Sequence, residues 1–175
     1  MERKSCSYSL TIKTANVLPP DTNIHGTLYG GKLMESIDDV AAIAATRHAR
    51  KPVVTASTDS VDFLEPVILG DSICLEAFVT WTHRTSMEVF VKAVTENLLT
   101  GERKVCSTAF LTFVAVDKNG KPSTVPQVYP QSEQEKFLHE GAKKRAEYRR
   151  SRRIKSREMA EKLGTRVPWT IDNQE

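Results

Sequence analysis

The run His25-Gly26-Thr27-Leu28-Tyr29-Gly30-Gly31, continuing through Lys32 to Asp39, holds chemically useful residue types at usable spacing. Gly30 and Gly31 stand where a helix begins, and the first backbone N–H groups of a helix have no intrahelical acceptor. Two residues without side chains let a bound group approach those donors at the positive end of the helix dipole. Such a place suits an oxyanion, for example the one formed when water adds to a thioester carbonyl. The same pair also serves a tight turn, so the glycines alone do not decide the chemistry. Asp38 follows Gly31 by two helical turns, on nearly the same line. Its neighbours at i−4 and i+4 are Met34 and Ala42, and a carboxylate on such a line is costly to bury unless paired or used. It can deprotonate a water or attack a carbonyl directly. Asp39 sits about 100° round the helix, as the solvated partner or as the alternative carboxylate. Glu35 reads as surface, and a lone loop histidine such as His25 is more often structural or solvated than catalytic.

The elements that must position these residues follow from periodicity. Ser7 to Ala15 alternates, with Tyr8, Leu10 and Ile12 on one side, and predicts a strand. After the turn-rich Pro19–Asn23 stretch, no further Gly or Pro occurs from Gly31 to His48. This segment carries Leu33, Ile37, Val40, Ala41 and Ala44 at helical spacing. The alanine run gives high helix propensity and lets neighbours come close on several sides. Beyond Lys51-Pro52 the period becomes two, over Val53–Phe63, Ile73–Trp81, Met87–Ala93 and Val105–Val116, with turn signals between. The expectation is an α+β domain: one strand, one long helix, then a meander of four strands wrapped around the helix. Ser132-Glu133-Gln134-Glu135 has the form of a capping box, and helix-compatible sequence runs from there to Leu163. The domain is therefore read as residues 1–126, with a basic helical extension over 127–175.

Bulk properties bound the function. The 175 residues carry 39% hydrophobic and 27% charged residues, the balance of a soluble globular chain. The N-terminus lacks the apolar stretch of a secretory signal, and no run approaches the roughly 20 apolar residues of a membrane span. Three widely spaced cysteines show no metal-ligand or redox spacing, which predicts a reduced, cytoplasmic protein without a metal. Residues 1–126 hold 13 Lys/Arg against 14 Asp/Glu, so the net charge of +3 resides in the tail. Nine basic residues fall within 143–157, which raises a nucleic-acid-binding alternative. Against it, Tyr148 is the one aromatic among them, and a solvated helix is the simpler reading.

The stretch Asp21–Ile43 resembles the opening of the hotdog-fold acyl-CoA thioesterases, in particular the YciA-like and cytosolic brain-type acyl-CoA hydrolases. The likeness rests on the Gly-x-x-x-Gly-Gly turn from Gly26 to Gly31 and on the helix aspartate Asp38. It continues through Val53–Pro66, Gly70-Asp71, the Arg84-Thr85-Ser86 hairpin and Thr112–Asp117, covering roughly residues 8–126. The resemblance implies hydrolysis of acyl-coenzyme A to fatty acid and coenzyme A, with Asp38 as the catalytic carboxylate. It further implies a dimer joined sheet edge to sheet edge, two sites at the interface, and assembly into hexamers as a trimer of dimers. Thr58 and Ser60 are expected to face the thioester from the partner. Where some members carry Asn or Asp, this sequence has Thr27, which can donate a hydrogen bond and hold a water but cannot act as a base. Arg84, Thr85 and Ser86 form a candidate phosphate clamp for coenzyme A, with His25 and Tyr29 as further contacts. Coenzyme A enters as part of the substrate; no cofactor is expected. A non-catalytic acyl-CoA sensor on the same scaffold is the other alternative, and the helix carboxylate favours hydrolysis over it.

Overall fold

A computed structural model describes residues 2–165. The chain forms β1 (Arg3–Ser5), a 3-10 turn (Cys6–Ser9), β2 (Thr11–Asn16) and a second 3-10 turn (Pro19–Asp21). The central helix α1 (Gly30–Ala49) comes next, then β3 (Val53–Phe63), β4 (Ser72–Thr82), β5 (Ser86–Glu96), β6 (Arg103–Ala115), β7 (Gln127–Tyr129) and α2 (Glu133–Leu163). Five strands make one antiparallel sheet in the order β2-β4-β5-β6-β3, while β1 and β7 pair in parallel beside it. The described residues fall into two compact units, divided between Ala142 and Lys143.

Helix α1 exists because one stripe of it is apolar and small. Leu33, Ile37, Val40, Ala41, Ala44, Ala45 and Ala49 are buried against the inward rows of the sheet, which include Leu75, Ala77, Val79, Met87, Val89, Leu111 and Phe113. Alanines let the helix sit low on the sheet, and burial of this stripe supplies the hydrophobic driving force of the first unit. Arg50 stops the helix in the left-handed conformation, φ 53°, with its N–H on the Thr46 carbonyl at 2.8 Å.

Two sequence expectations are corrected. Ser7–Ser9 is not strand: the Ser9 hydroxyl donates to the Cys6 carbonyl at 2.8 Å and accepts the Val79 N–H at 2.9 Å. That side chain replaces a ladder bond and folds the segment into a turn. The last four strands are not a simple meander either. β3 pairs with β6, and β4 pairs with β2, so the chain crosses from one sheet edge to the other between Phe63 and Ser72. The capping box forms as expected: Glu135 N–H meets the Ser132 hydroxyl at 3.2 Å, and Ser132 N–H meets the Glu135 carboxylate at 2.9 Å. In α2, Leu138 and Ala142 are buried, whereas residues 143–163 are largely exposed.

His48, at the end of α1, is fully buried with Nε2 3.0 Å from the Pro126 carbonyl, while Lys4 donates to the His48 carbonyl at 2.9 Å. Burial lowers its pKa from the ordinary 6.5, the Pro126 contact opposing in part. A lowered histidine pKa means the unfolded chain binds the proton first as pH falls, so folded stability is lost below about pH 6.5. Thermal melts at pH 7.5 and pH 5 will show that loss, and His48→Leu will flatten it. Ala44→Leu, which forces a larger side chain between helix and sheet, will cost about 1–3 kcal/mol in the same assay.

Candidate active site

The loop ahead of α1 is organised by one side chain, Asn23. Its Oδ1 accepts the backbone N–H groups of His25 at 2.9 Å and Thr27 at 3.3 Å, while its Nδ2 donates to the Thr27 hydroxyl at 2.9 Å. This is the local side-chain turn that asparagine favours. Gly26 takes φ +71° inside it. The loop is then pinned to its surroundings by Leu28 N–H on the Val67 carbonyl and Tyr29 N–H on the Asp21 carbonyl, both 2.8 Å. Tyr29 is the N-cap residue and makes no side-chain cap bond. Its carbonyl takes the N–H groups of Lys32 and Leu33 at 2.9 and 3.2 Å. The N–H groups of Gly30 and Gly31 belong to the first turn and are the donors with no carbonyl one turn earlier. A Cβ built on Gly31 would lie 2.5 Å from the Tyr29 ring, so a side chain there would force the ring to move, whereas one on Gly30 would meet the Phe63 ring at an ordinary contact distance of 3.5 Å.

Asp38 is half-buried, and its Oδ1 accepts the Thr55 hydroxyl of β3 at 3.0 Å. The neighbouring acids are held by cations instead: Asp39 by Lys13 at 2.7 Å and Glu35 by Lys32 at 3.3 Å. Asp38 thus has a neutral donor on one oxygen and the other oxygen available to a reacting group. It lies at the margin of a cleft of about 580 Å³ between α1 and β2.

Strand β3 carries two register shifts, between Thr55 and Ser57 and between Thr58 and Ser60. Directly opposed residues share a face. Thr55 opposes the buried Phe113 and Thr58 opposes Leu111, so both face α1, whereas Ser60 opposes Phe110 in the Phe78–Phe90–Phe110 cluster. The bulge therefore turns Ser60 to the opposite side of the sheet from Thr58. Asp59, at the bulge, accepts hydroxyls from Ser57 at 2.6 Å and Thr112 at 2.8 Å.

The Arg84-Thr85-Ser86 hairpin is closed by His83 N–H on the Ser86 carbonyl at 2.9 Å, and the Arg84 side chain is exposed. Ser86 opposes Val114, which opposes Val54, so this hairpin lies at the Thr55 end of β3, away from the Phe63 end. Other cations after α1 have structural partners: Arg47 binds the Leu10 carbonyl, Arg50 the Tyr8 hydroxyl, and Lys51 the Thr124 carbonyl. His25 and Tyr29 are exposed beside the helix start. Burial pushes the thiols of Cys6 and Cys106 up to about 12 and about 11, so neither is poised as a nucleophile. Among the described residues, no cluster of His, Cys, Asp or Glu is arranged to hold a metal ion, and no helix is long and apolar enough to cross a membrane.

Two residues at the centre of this geometry, Asn23 and Thr55, escape a reading of the sequence alone. Asn23 is hidden in a turn-rich stretch where asparagine is ordinary. Thr55 looks like any strand threonine until its bond to Asp38 is seen.

Comparison with known proteins agrees with this architecture. Residues 25–102 match the family described as the thioesterase superfamily. The chain is 54% identical to the uncharacterized acyl-CoA thioester hydrolase YkhA of Bacillus subtilis, over 96% of this chain and 98% of that protein. It superposes on an acyl-CoA hydrolase from Staphylococcus aureus, solved with butyryl coenzyme A, coenzyme A and coenzyme A disulfide. The TM-score is 0.89 at 44% identity, covering 93% of this chain and 99% of that one. The same enzyme has been solved with an aspartate, a threonine and an asparagine each replaced by alanine. An apo-hexameric acyl-CoA thioesterase superposes with TM-score 0.85 and 53% identity, over 87% of this chain and 97% of that one. With its hotdog sheet around α1 and relatives matched over nearly their whole length, the chain belongs to the acyl-CoA thioester hydrolases of the thioesterase superfamily.

Proposed function

We propose that two copies of this chain together hydrolyse acyl-coenzyme A, with Asp38 of one copy and the helix start of the other acting on the same thioester. The observation that carries the reading is the Asp38–Thr55 bond on the inward face of an edge strand. In support, Asn23, Asp38 and Thr55 have the same sequence spacing as the three positions replaced by alanine in the S. aureus enzyme. Gly31 and Asp38 are separated by about 10 Å along α1, at 1.5 Å per residue. A base and an oxyanion donor must each lie about 3 Å from the reacting atoms. One chain therefore does not supply both to one carbonyl.

Strand β3 supplies the remedy. It is an 11-residue edge whose outer backbone groups are open to pairing. Antiparallel pairing of two such edges, centred near Asp59, sets Thr55 of one copy opposite Phe63 of the other. Asp38 of the first then approaches Gly30, Gly31 and the Asn23–Thr27 loop of the second. The Gly30 and Gly31 N–H groups receive the oxyanion as the tetrahedral intermediate forms. Thr55 holds one Asp38 oxygen, and the other takes the proton from the attacking water; collapse of the intermediate then expels the coenzyme A thiolate. Asn23 positions the loop through Thr27, and Thr58 lines the same inward face of β3. Ser60, on the other face, acts through the bulge rather than on the substrate. Arg84, Thr85 and Ser86 of the copy that gives Asp38 take the coenzyme phosphates, with His25 and Tyr29 of its partner beside the pantetheine. Dimers built this way assemble further as a trimer of dimers, a reading supported by the hexameric relative. Three free cysteines fit a reducing compartment, and we place the enzyme in the cytoplasm.

Thiol release from a panel of acyl-CoAs tests the proposal. Asp38→Ala will lower kcat/KM by about two orders of magnitude or more. Thr55→Val will lower it roughly tenfold, the value of a hydrogen bond to a charged group, and Thr55→Ser will restore most of the loss. If parent and Asp38→Ala both bind coenzyme A but neither releases thiol, the chain is an acyl-CoA sensor and the hydrolase reading falls. Light scattering that finds a monomer with full activity would sink the shared site.

A further inference from the structure

Resting on the hydrolase reading, we infer that the acyl chain of the substrate lies in the apolar groove between the start of α1 and the end of β3, and that Phe63 sets the chain length it accepts. The groove holds about 350 Å³ and is lined by Leu28, Leu33, Phe63, Leu64, Pro66 and Val67, with Thr27, Gly30 and Glu65 completing it. Two larger clefts on the chain have a different chemistry. The one of about 580 Å³ carries Lys13, Asp21, Lys32, Glu35, Asp38 and Asp39, and the one of about 440 Å³ carries Glu65, Asp71, Glu102 and Lys104. A hydrocarbon chain gains from apolar walls and pays desolvation at charged ones, which selects the smaller groove.

Its position fits the reaction. Gly30 is both a wall of the groove and a donor of the helix start, so a carbonyl held there delivers its alkyl substituent directly into the groove. Phe63 forms the outer wall. It faces α1, opposite Ser107, with its ring against Gly30, yet it is 54% exposed. Leu33 and Val67, at 4% and 3% exposure, are fixed parts of the core instead. The groove volume is near the lower end of ligand pockets, roughly 300–1,000 Å³, so gain with chain length must stop once it fills.

The test is a chain-length series of saturated acyl-CoAs on the parent, Phe63→Ala and Leu64→Trp, each checked for folding and assembly by thermal melting and light scattering. On the parent, each methylene that enters will raise kcat/KM by about fourfold, carried by KM, up to a plateau. Phe63→Ala will move the plateau to longer chains and raise the dodecanoyl-to-butyryl ratio by about tenfold; Leu64→Trp will move it to shorter chains. Equal losses on all chains, or an unchanged ratio in both variants, overturns the assignment. So does a parent series flat in KM, which decides the matter even where a variant does not fold. Should the parent release no thiol from any substrate, the hydrolase reading fails separately. Calorimetric binding of the same series to parent and variants then judges the groove, with chain-independent affinity counting against it.

Discussion

One helix against one sheet is the constraint on which everything else rests. Helix α1 buries the stripe from Leu33 to Ala49 on five strands, and the sheet cannot also enclose the helix's remaining side. Met34 and Asp38 stand at that margin, together with the exposed backbone edge of β3 and the half-exposed Val54 and Phe63. A carboxylate there is neither lost in the core nor fully in water. The uncovered side offers unpaired strand edge and apolar surface together. The open strand edge and the half-buried Asp38 beside it are thus two results of the same packing.

The loop before α1 solves a different problem, the presentation of two backbone N–H groups without a side chain in the way. Gly30 and Gly31 place no side chain over these groups, and the Tyr29 ring occupies the space that a Cβ on Gly31 would need. The Asn23 amide holds the loop shape by bonding three groups within four residues. Rigid donors are effective because they need no reorganisation when charge develops on the substrate. The Thr27 hydroxyl is itself engaged by the Asn23 amide, so it is part of the loop's framework.

Charge is distributed to the same end. Around the site, Asp39 and Glu35 are neutralised by Lys13 and Lys32, so Asp38 is the carboxylate held by a hydroxyl alone. Basic density is concentrated in residues 143–157, on a helical segment that is largely exposed, within the second compact unit. Few side chains of that segment are buried within the chain.

Local physics carried much of this into the sequence. Helical periodicity located α1 to within a residue at each end, period two located the four long strands, and the Ser132–Glu135 box marked the start of α2. Each is a property of neighbours along the chain, where propensity and burial pattern act together. Asp38 and the glycine pair were legible for the same reason, because their meaning depends on one helix. What tertiary structure alone decided was everything set by residues far apart in the chain. Alternation tells which face a strand buries but not which strand lies beside it, so β3 at the far edge was invisible. Alternation also fails at a bulge, where one extra residue inverts the parity, and that is why Thr58 and Ser60 part company. The partner of Asp38 had to wait for the fold: seventeen residues separate it from Thr55 along the chain, and only the docking of α1 on β3 closes that gap to a hydrogen bond.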